Sequence, residues 1–326
     1  MVTLSGPPAL APLLMRGALR SPFKRPRPGV RFSSSDSTER LVLPGLRLDL
    51  ARLAAYERVC GFPTGEDALP VTYPHVLGFP LAMAVMSRRD FPLPLLGLVH
   101  TSIDITRRRA VAATGTYELT VHVDHLAPHR RGTEAFVVTE LRKGEEGSGS
   151  EGGNEGGSGG AGGDGSGGAR AGAGAGAVVW ESTSTYLCRH PTTPADLEPT
   201  EPGLTAVEEP ALPVLDEWRL AADVGRRYAA ASGDRNPIHL HPLTARLFGF
   251  PRAIAHGMWT VARCLAAHGT PEAVHLHAEF RAPVLLPGAV TFAADGRRFE
   301  LRGAGESGRV HVSGRVDPLT GDQDLP

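Results

Sequence analysis

The stretch "YAAASGDRNPIHLHPLTARLFGFPRAIAHGMWTVA", residues 228–262, places a turn-forming segment between two helical patterns. The first helical pattern ends at Ser232-Gly233, because glycine commonly follows the last residue of a helix. Asn236 lies directly before Pro237, and a residue before proline is biased away from helix. These signals predict a helix over 223–231 that is followed by a stiff, non-helical loop over 233–238. The pattern of apolar residues further along predicts a short helix over roughly 242–248 and an apolar helix over 257–269.

The predicted loop carries an acid and an imidazole in addition to its turn-forming residues. Asp234 lies at its entry and His239 at its exit, and in a curled loop both side chains can face one pocket. A carboxylate and an imidazole that share a water molecule can take a proton from it and return a proton to carbon, which is general acid–base chemistry. On the residues alone, the alternative is that Asp234 and Asn236 only shape the turn and that His239 only packs.

His256 and Gly257 lie at the first turn of the apolar helix. The first N–H groups of a helix have no partner within it, so they form a ready oxyanion hole for a thioester carbonyl. Glycine has no β-carbon, so a substrate can approach its backbone closely. The alternative role of Gly257 is to let the helix pack tightly on a sheet.

Outward from this stretch, both halves of the chain show the same order of elements. The apolar helix over 257–269 precedes four strand candidates, and an apolar helix candidate over 73–87 precedes four others. One helix followed by an antiparallel meander, twice, predicts an α+β protein built from two copies of one unit, with each sheet wrapped around a central helix. The strand candidates are 97–106, 115–124, 133–141 and 178–187 in the first half, and 274–281, 288–294, 297–302 and 308–316 in the second.

Three segments of biased composition set the expected domain boundaries. Residues 1–40 are rich in proline, arginine and serine and are expected to form a flexible N-terminal segment. Residues 144–177 are almost wholly Gly, Ser, Ala and Glu between two strand candidates, so we expect a flexible loop within one unit. Residues 190–212 are proline-rich and acidic, which is typical of a linker. The N-terminal unit is then 41–189 and the C-terminal unit 213–326.

The bulk composition narrows the function classes. The chain has 326 residues, 41% of them hydrophobic, and a formal net charge of −1 at pH 7. This charge argues against binding to nucleic acid or to an anionic membrane, and the apolar runs are too short to cross a membrane. The three cysteines are dispersed without a CxxC pair, which indicates a reducing, cytoplasmic location. The His-x-His pairs at 239–241 and 275–277 lack further ligands at metal-binding spacing, so we predict no metal site.

The pattern Ser-Gly-Asp-x-Asn-Pro-x-His, followed by Ala-His-Gly-Met, resembles the signature of MaoC-like hydratases. These are hotdog-fold (R)-specific enoyl-CoA hydratases and 3-hydroxyacyl-thioester dehydratases. The close match covers residues 228–262, and a looser one runs from about 208 to the C-terminus. The resemblance implies that the two predicted units are hotdogs, each an antiparallel sheet wrapped around a central helix.

The resemblance also implies roles for the residues of the motif. Asp234 and His239 would form a catalytic dyad around one water molecule, and the Gly257 amide would hold the thioester oxygen. Asn236 would support the loop. The motif residues assigned to substrate binding are Asn236, His256 and Met258.

The first half of the chain resembles the family only in outline, because it has no Asp-x-Asn-Pro-x-His sequence. This is the pattern of double-hotdog members, in which the N-terminal repeat has lost its catalytic residues and shapes the acyl tunnel. His75, near the start of the N-terminal apolar helix, is interpreted as structural. One chain would then supply two hotdogs and a single active site.

The predicted function is that of a cofactor-free hydro-lyase, which hydrates trans-2-enoyl thioesters or dehydrates (3R)-3-hydroxyacyl thioesters in fatty acid or related acyl metabolism. The substrate would be an acyl group on coenzyme A or on an acyl carrier protein, and two chains could pair as a homodimer. Three alternatives stay open on the sequence: a hotdog thioesterase, a non-catalytic acyl-thioester-binding hotdog, and a hydratase subunit that needs a partner chain.

Overall fold

A computed structural model describes residues 1–21, 24, 40–144, 176–192, 210–305 and 308–319 of the chain. The helices in these ranges are α1 Leu10–Arg20, α2 Leu50–Cys60, α3 Tyr73–Met86, α4 Val224–Ser232, α5 Pro237–Leu240, α6 Pro242–Leu247 and α7 Gly257–His268. The strands are β1 Val2–Thr3, β2 Leu41–Arg47, β3 Leu98–Arg107, β4 Thr116–His129, β5 Gly132–Lys143, β6 Val178–Arg189, β7 Val214–Leu220, β8 Val274–Phe280, β9 Gly288–Ala294, β10 Arg298–Gly303 and β11 Val310–Pro318.

The strands form one sheet that contains the same five-strand order twice. Its order is β1-β2-β4-β5-β6-β3-β8-β11-β10-β9-β7. From β2 toward the centre of the sheet, the strands of the first half have the order β2-β4-β5-β6-β3. From β7 toward the centre, those of the second half have the corresponding order β7-β9-β10-β11-β8. The pairing is antiparallel throughout these ten strands, and the halves meet where β3 pairs with β8. The predicted duplication and the α+β class are therefore confirmed, and the two units are hotdogs.

Each half packs one apolar helix against its sheet. Helix α3 is buried around most of its circumference and lies against β4 and β5. Helix α7 buries its apolar residues, including Trp259 and Leu265, and lies against β10. A helix that is apolar on nearly all sides must be enclosed by other elements. These two helices are the central helices that the sequence predicts over 73–87 and 257–269.

Five elements were not predicted from the sequence: β1, α2, β2, α5 and β7. Helix α2 has clear local signals at both ends. The Asp49 side chain accepts hydrogen bonds from the amides of Ala51 and Arg52, and Gly61 ends the helix in the left-handed region with φ of 83°. An aspartate N-cap and a C-terminal glycine are strong helix signals, so this helix could have been found from the sequence.

The segments of biased composition are only partly described. Strands β5 and β6, which flank the Gly-rich run, pair directly with each other, so that run connects neighbouring strands within the N-terminal unit. Its residues 145–175 lie outside the described residues, as do most of the predicted linker and residues 25–39 of the predicted flexible segment. Within the first 21 residues, β1 pairs with β2 and α1 lies next to α3. The domain boundaries stay a prediction.

The described helices are all too short or too polar to cross a lipid bilayer.

Candidate active site

Short-range hydrogen bonds hold the loop that follows α4. Gly233 ends α4 in the left-handed region, with φ of 85°, and its amide donates to the Ala229 carbonyl. The Ser232 hydroxyl then accepts from the Asp234 amide at 3.2 Å, and Asp234 Oδ1 accepts from the Asn236 amide at 3.1 Å. Each bond spans two residues, the local turn geometry that serine and aspartate favour. The loop thus holds the Asp234 carboxylate in one position.

The prediction of a non-helical loop up to residue 238 is wrong at its end. Asn236 caps a one-turn helix, α5, by accepting a hydrogen bond from the Ile238 amide at 3.4 Å. Proline at the first helical position has the required φ and has no N–H that would need a partner. Pro237 therefore begins a helix here, and His239 lies within that turn.

His239 is buried and held in one tautomer. Its Nδ1 lies 2.8 Å from the Ile254 carbonyl oxygen, so Nδ1 carries the hydrogen and donates, which leaves the Nε2 lone pair free to accept. The backbone of α5 also lies very close to α4, because a β-carbon on Gly225 would collide with the His239 carbonyl oxygen. Gly225 is a residue that the sequence analysis missed. This close packing and the Ile254 bond fix the direction of the imidazole.

His256 connects the loop to the start of α7. Its Nε2 donates to the Asp234 backbone carbonyl at 2.9 Å and lies 3.9 Å from Asp234 Oδ2. Its ring stacks on the His239 ring with centroids 3.7 Å apart, and the Tyr228 ring lies 4.8 Å away on another side. His256 is thus a buried scaffold that joins both members of the predicted dyad.

Gly257 is the first residue of α7, and its amide has no hydrogen-bond partner within the described part of the chain. A β-carbon at this position would lie 2.9 Å from the Phe280 ring, closer than a real contact allows. The absence of a side chain is therefore needed for the packing of Phe280 as well as for access to the amide. The next residue, Met258, is buried and lines the same cavity.

These groups meet in a cavity of about 910 Å³ that is lined by residues of both halves. One carboxylate oxygen of Asp234 and one ring nitrogen each of His239 and His256 lie within 4.8 Å of one another. Asp234 is 25% exposed through its side chain, so a small molecule in the cavity can reach it. The spacing fits one bridging water. It also fits a three-ligand metal site that the sequence analysis did not consider, so the expectation of no metal stays a prediction.

Two residues of the first half contribute to the candidate active site in ways that the sequence did not predict. Arg52 on α2 donates to the carbonyls of Ala231 and Ser232, at 2.8 and 2.6 Å, and so caps the end of α4 directly before the loop. His75, interpreted as structural from the sequence, lines the cavity, and the charge of Asp234 acts on it. Neither contact has a signal in the local sequence, because each depends on how the two halves pack.

The imidazoles around Asp234 are neutral at neutral pH. Burial lowers the pKa of His256 to about 3, and the adjacent His239 ring adds to this effect. Burial also lowers the pKa of His239, although the Asp234 charge and the Ile254 carbonyl partly oppose the shift. The pKa of His75 is lowered by burial to about 4. A neutral His239 has an Nε2 that accepts a hydrogen bond from water instead of donating one.

These shifts predict that the protein loses stability when it is acidified below about pH 6.5, the usual pKa of histidine. The unfolded chain then binds protons at histidines whose pKa is lowered in the folded protein, so the free energy of unfolding falls by about 1.4 kcal/mol per pH unit for each histidine that stays neutral. These histidines are His75, His100, His122, His239, His256 and His311. His277 acts in the opposite sense, because Asp104 raises its pKa. Urea denaturation between pH 5 and 8 measures the slope.

A His256→Gln variant is the control for this prediction, because it removes one of these titrations. Below about pH 6 its free energy of unfolding should depend less steeply on pH, by about 1.4 kcal/mol per pH unit, and from pH 7 to 8 the two slopes should be equal. Equal slopes in the variant and the original protein below about pH 6 would contradict the assignment of a buried neutral imidazole at this position.

Comparison with known proteins places this site in context. Residues 201–307 match a family model described as the MaoC like domain. The chain is 34% identical over 255 residues to 3-hydroxyacyl-thioester dehydratase X of Mycobacterium tuberculosis, and the match spans 77% of this chain and 78% of that protein.

Solved structures show the same similarity. The crystal structure of HtdX from M. tuberculosis matches with a TM-score of 0.65 and 31% sequence identity, over 86% of this chain and 100% of that one. A MaoC-like dehydratase from Phytophthora capsici matches with a TM-score of 0.61 and 17% identity, over 87% of this chain and 96% of the other. The second similarity concerns the fold alone, and both extend over the two halves of this chain.

Proposed function

The chain belongs to the MaoC-like dehydratase family, and from this we propose that it is a 3-hydroxyacyl-thioester dehydratase, a hydro-lyase that also runs in the hydration direction. The observation that carries the proposal is the convergence on one cavity of an acid, a neutral imidazole and a helix N-terminal amide that has no partner in the described part of the chain. Addition of water to an enoyl thioester needs these three groups and no redox group. The chemistry requires a place for water, a proton carrier and a stabiliser of negative charge.

Asp234 and His239 are the proposed water-binding dyad. The Asp234 carboxylate and the lone pair on His239 Nε2 would each accept one hydrogen of a water molecule between them. In the hydration direction the water oxygen bonds to C3 of the enoyl thioester and one water proton passes to the dyad. The electron pair of the C2=C3 bond moves toward the thioester, and C2 then takes a proton from the dyad. Dehydration is the reverse sequence.

Gly257 is the proposed site of charge stabilisation. As the C2=C3 electrons move, negative charge develops on the thioester oxygen. The amide of Gly257, which lies at the positive end of α7 and has no partner among the described residues, would donate a hydrogen bond to that oxygen. Asn236 and His256 would keep the loop backbone in place through their hydrogen bonds to it. Met258 would form part of the apolar wall that contacts the acyl group.

The finer assignment is that of an (R)-specific enoyl-CoA hydratase and dehydratase. Its support is the resemblance of the motif over residues 228–262 to enzymes of that stereochemistry. The carrier of the acyl group is proposed to be coenzyme A or an acyl carrier protein, since both present the same pantetheine thioester to the cavity.

The test is the loss of enoyl-thioester absorbance when the purified protein meets crotonyl-CoA, a longer enoyl-CoA and the same acyl groups on a carrier protein. We expect loss of absorbance and, by chiral analysis, a (3R)-3-hydroxyacyl product. Release of free thiol from the thioester would instead indicate a thioesterase. No turnover of any of these substrates would contradict the proposed function, and a (3S) product would contradict only its stereochemistry.

A further inference from the structure

The first 21 residues of the chain form two elements, β1 and α1, that lie outside the strand order shared by the two halves. β1 is held by β2 in parallel pairing. The Val2 amide donates to the Arg40 carbonyl at 2.8 Å, and the Leu4 amide donates to the Val42 carbonyl at 2.8 Å. The start of this segment is therefore bound to the N-terminal unit, and α1 follows a few residues later.

The end of α1 is anchored as well. The Ser21 hydroxyl donates to the Gly17 carbonyl at 2.8 Å and accepts from the Leu96 amide at 2.9 Å. A β-carbon on Gly17 would collide with the Leu95 side chain, so the helix packs directly on the segment that leads into β3. α1 also lies next to α3, the central helix of the first half. With both ends anchored, α1 has a defined position against the first half.

One face of α1 lines the cavity of the candidate active site. Leu10 and Leu14 are four residues apart, so they lie on the same side of the helix, and both line the cavity. Both pack against the hydrophobic core but are only partly buried, so a ligand in the cavity can contact them. Leu10 also reaches the loop that follows α4, because a β-carbon on Gly233 would lie 3.1 Å from its Cδ1. Gly233 directly precedes Asp234.

From Leu10, α1 runs away from the Asp234 loop toward the surface. Leu14 lies about 6 Å further along the helix axis, because each residue of an α-helix advances it by about 1.5 Å. The next residue, Met15, also lines the cavity and is 66% exposed, so it lies at the rim. The helix therefore lines the cavity from beside the proposed acid to its opening.

The chemistry of this wall suits a hydrocarbon chain. The described side chains through which α1 lines the cavity are all apolar, and the neighbouring helix α3 adds Val76, Phe79, Met83 and Met86. Covering apolar surface is favourable in proportion to its area, and Leu10 and Leu14 retain such surface. The amides of a pantetheine arm would lose hydrogen bonds to water against these side chains. An alkyl chain is therefore the part of a thioester substrate that fits here.

We propose that Leu10 and Leu14 form part of the acyl-chain subsite, so that α1 determines the affinity for acyl groups long enough to reach Leu14. This inference rests on the proposed function for the identity of the thioester, and it adds a specificity-determining helix that belongs to neither hotdog. A butanoyl group with its thioester at Gly257 would end before Leu14, and an octanoyl group would extend along it.

Calorimetric titration with saturated acyl pantetheines tests the subsite without turnover, because these thioesters lack the reacting double bond. The ligands are butanoyl and octanoyl pantetheine. In Leu14→Gln, which places an amide against the chain, we expect octanoyl pantetheine to bind about tenfold more weakly than in the original protein. Butanoyl pantetheine should bind equally to both proteins. Leu14→Ala only removes contact area, so it should weaken octanoyl binding by a smaller factor, and it serves as the test if the glutamine variant does not fold.

Leu13→Gln is the matched control, because Leu13 is partly buried on the same helix but is not one of the described residues that line the cavity. Both ligands should bind to it as they bind to the original protein. Unchanged octanoyl binding in the Leu14 variants, or equal weakening of both ligands, would overturn the subsite, as would failure of both ligands to bind the original protein. If the chain-length effect were observed but crotonyl-CoA were not hydrated, the subsite would stand and the proposed function would be contradicted.

Discussion

Replacing Asp234 with asparagine is expected to abolish turnover in both directions while the protein stays folded. The substitution is nearly isosteric, and the asparagine Oδ1 can still accept the Asn236 amide hydrogen that Asp234 accepts at 3.1 Å. What it removes is the carboxylate that would take and return the proton. General acid–base catalysis commonly contributes 10²–10⁴-fold, and here the same group would also hold the water, so we expect kcat to fall by about 10³-fold or more.

The measurement is the rate of crotonyl-CoA hydration together with the thermal unfolding midpoint of each protein. Asp223→Asn is the matched control, because Asp223 precedes the opposite end of α4 and its side chain pairs with Arg227 at the surface. The control should keep full activity. Activity in Asp234→Asn close to that of the control would remove Asp234 from the proposed dyad.

Replacing His239 with asparagine is expected to have an effect of similar size. The asparagine side-chain NH₂ can take the place of Nδ1–H and donate to the Ile254 carbonyl, so that this buried oxygen keeps its partner. No atom then occupies the position of Nε2, the proposed water acceptor. We expect kcat to fall by about 10³-fold with little change in the unfolding midpoint, because the lost group acts on the water and not on the fold.

His239→Gln is the informative comparison, because the longer glutamine side chain can place an acceptor oxygen near the Nε2 position and lose the Ile254 bond. It should keep more activity than His239→Asn and be less stable. The opposite order, with asparagine active and glutamine inactive, would mean that the Ile254 bond matters and the Nε2 lone pair does not. His125→Asn, at a half-exposed position in the first half, controls for loss of an imidazole elsewhere.

The local part of the site could be predicted from the sequence because its interactions are local. The end of α4 at Gly233 and the turn bonds of Asp234 and Asn236 involve neighbours two to four residues apart. The one local error is the loop predicted where α5 begins at Pro237. Proline disfavours helix at the residue before it but favours the first position of a helix, and here Asn236 is the cap and Pro237 the first helical residue.

The duplication of the fold could also be predicted from the sequence, because an apolar helix followed by a series of strands occurs twice along the chain. The strands β2 and β7 were missed. β2 contains Pro44 and Gly45, and β7 begins with two consecutive exposed apolar residues, Val214 and Leu215, so neither shows a clean alternation of apolar and polar residues.

What the sequence by itself determined is therefore the identity of the proposed acid, imidazole and glycine, the turn that holds Asp234 and the helix that begins at Gly257. Only the tertiary structure decided what surrounds them. The pairing of β3 with β8 joins the two sheets, and the packing of the halves brings Arg52 to the end of α4 and His75 and His100 into the cavity of Asp234. These residues lie more than 100 positions from the motif, and contacts at such separations leave no periodic or turn signal in the chain. They form because two apolar sheet faces can be buried together only when the halves pack against each other.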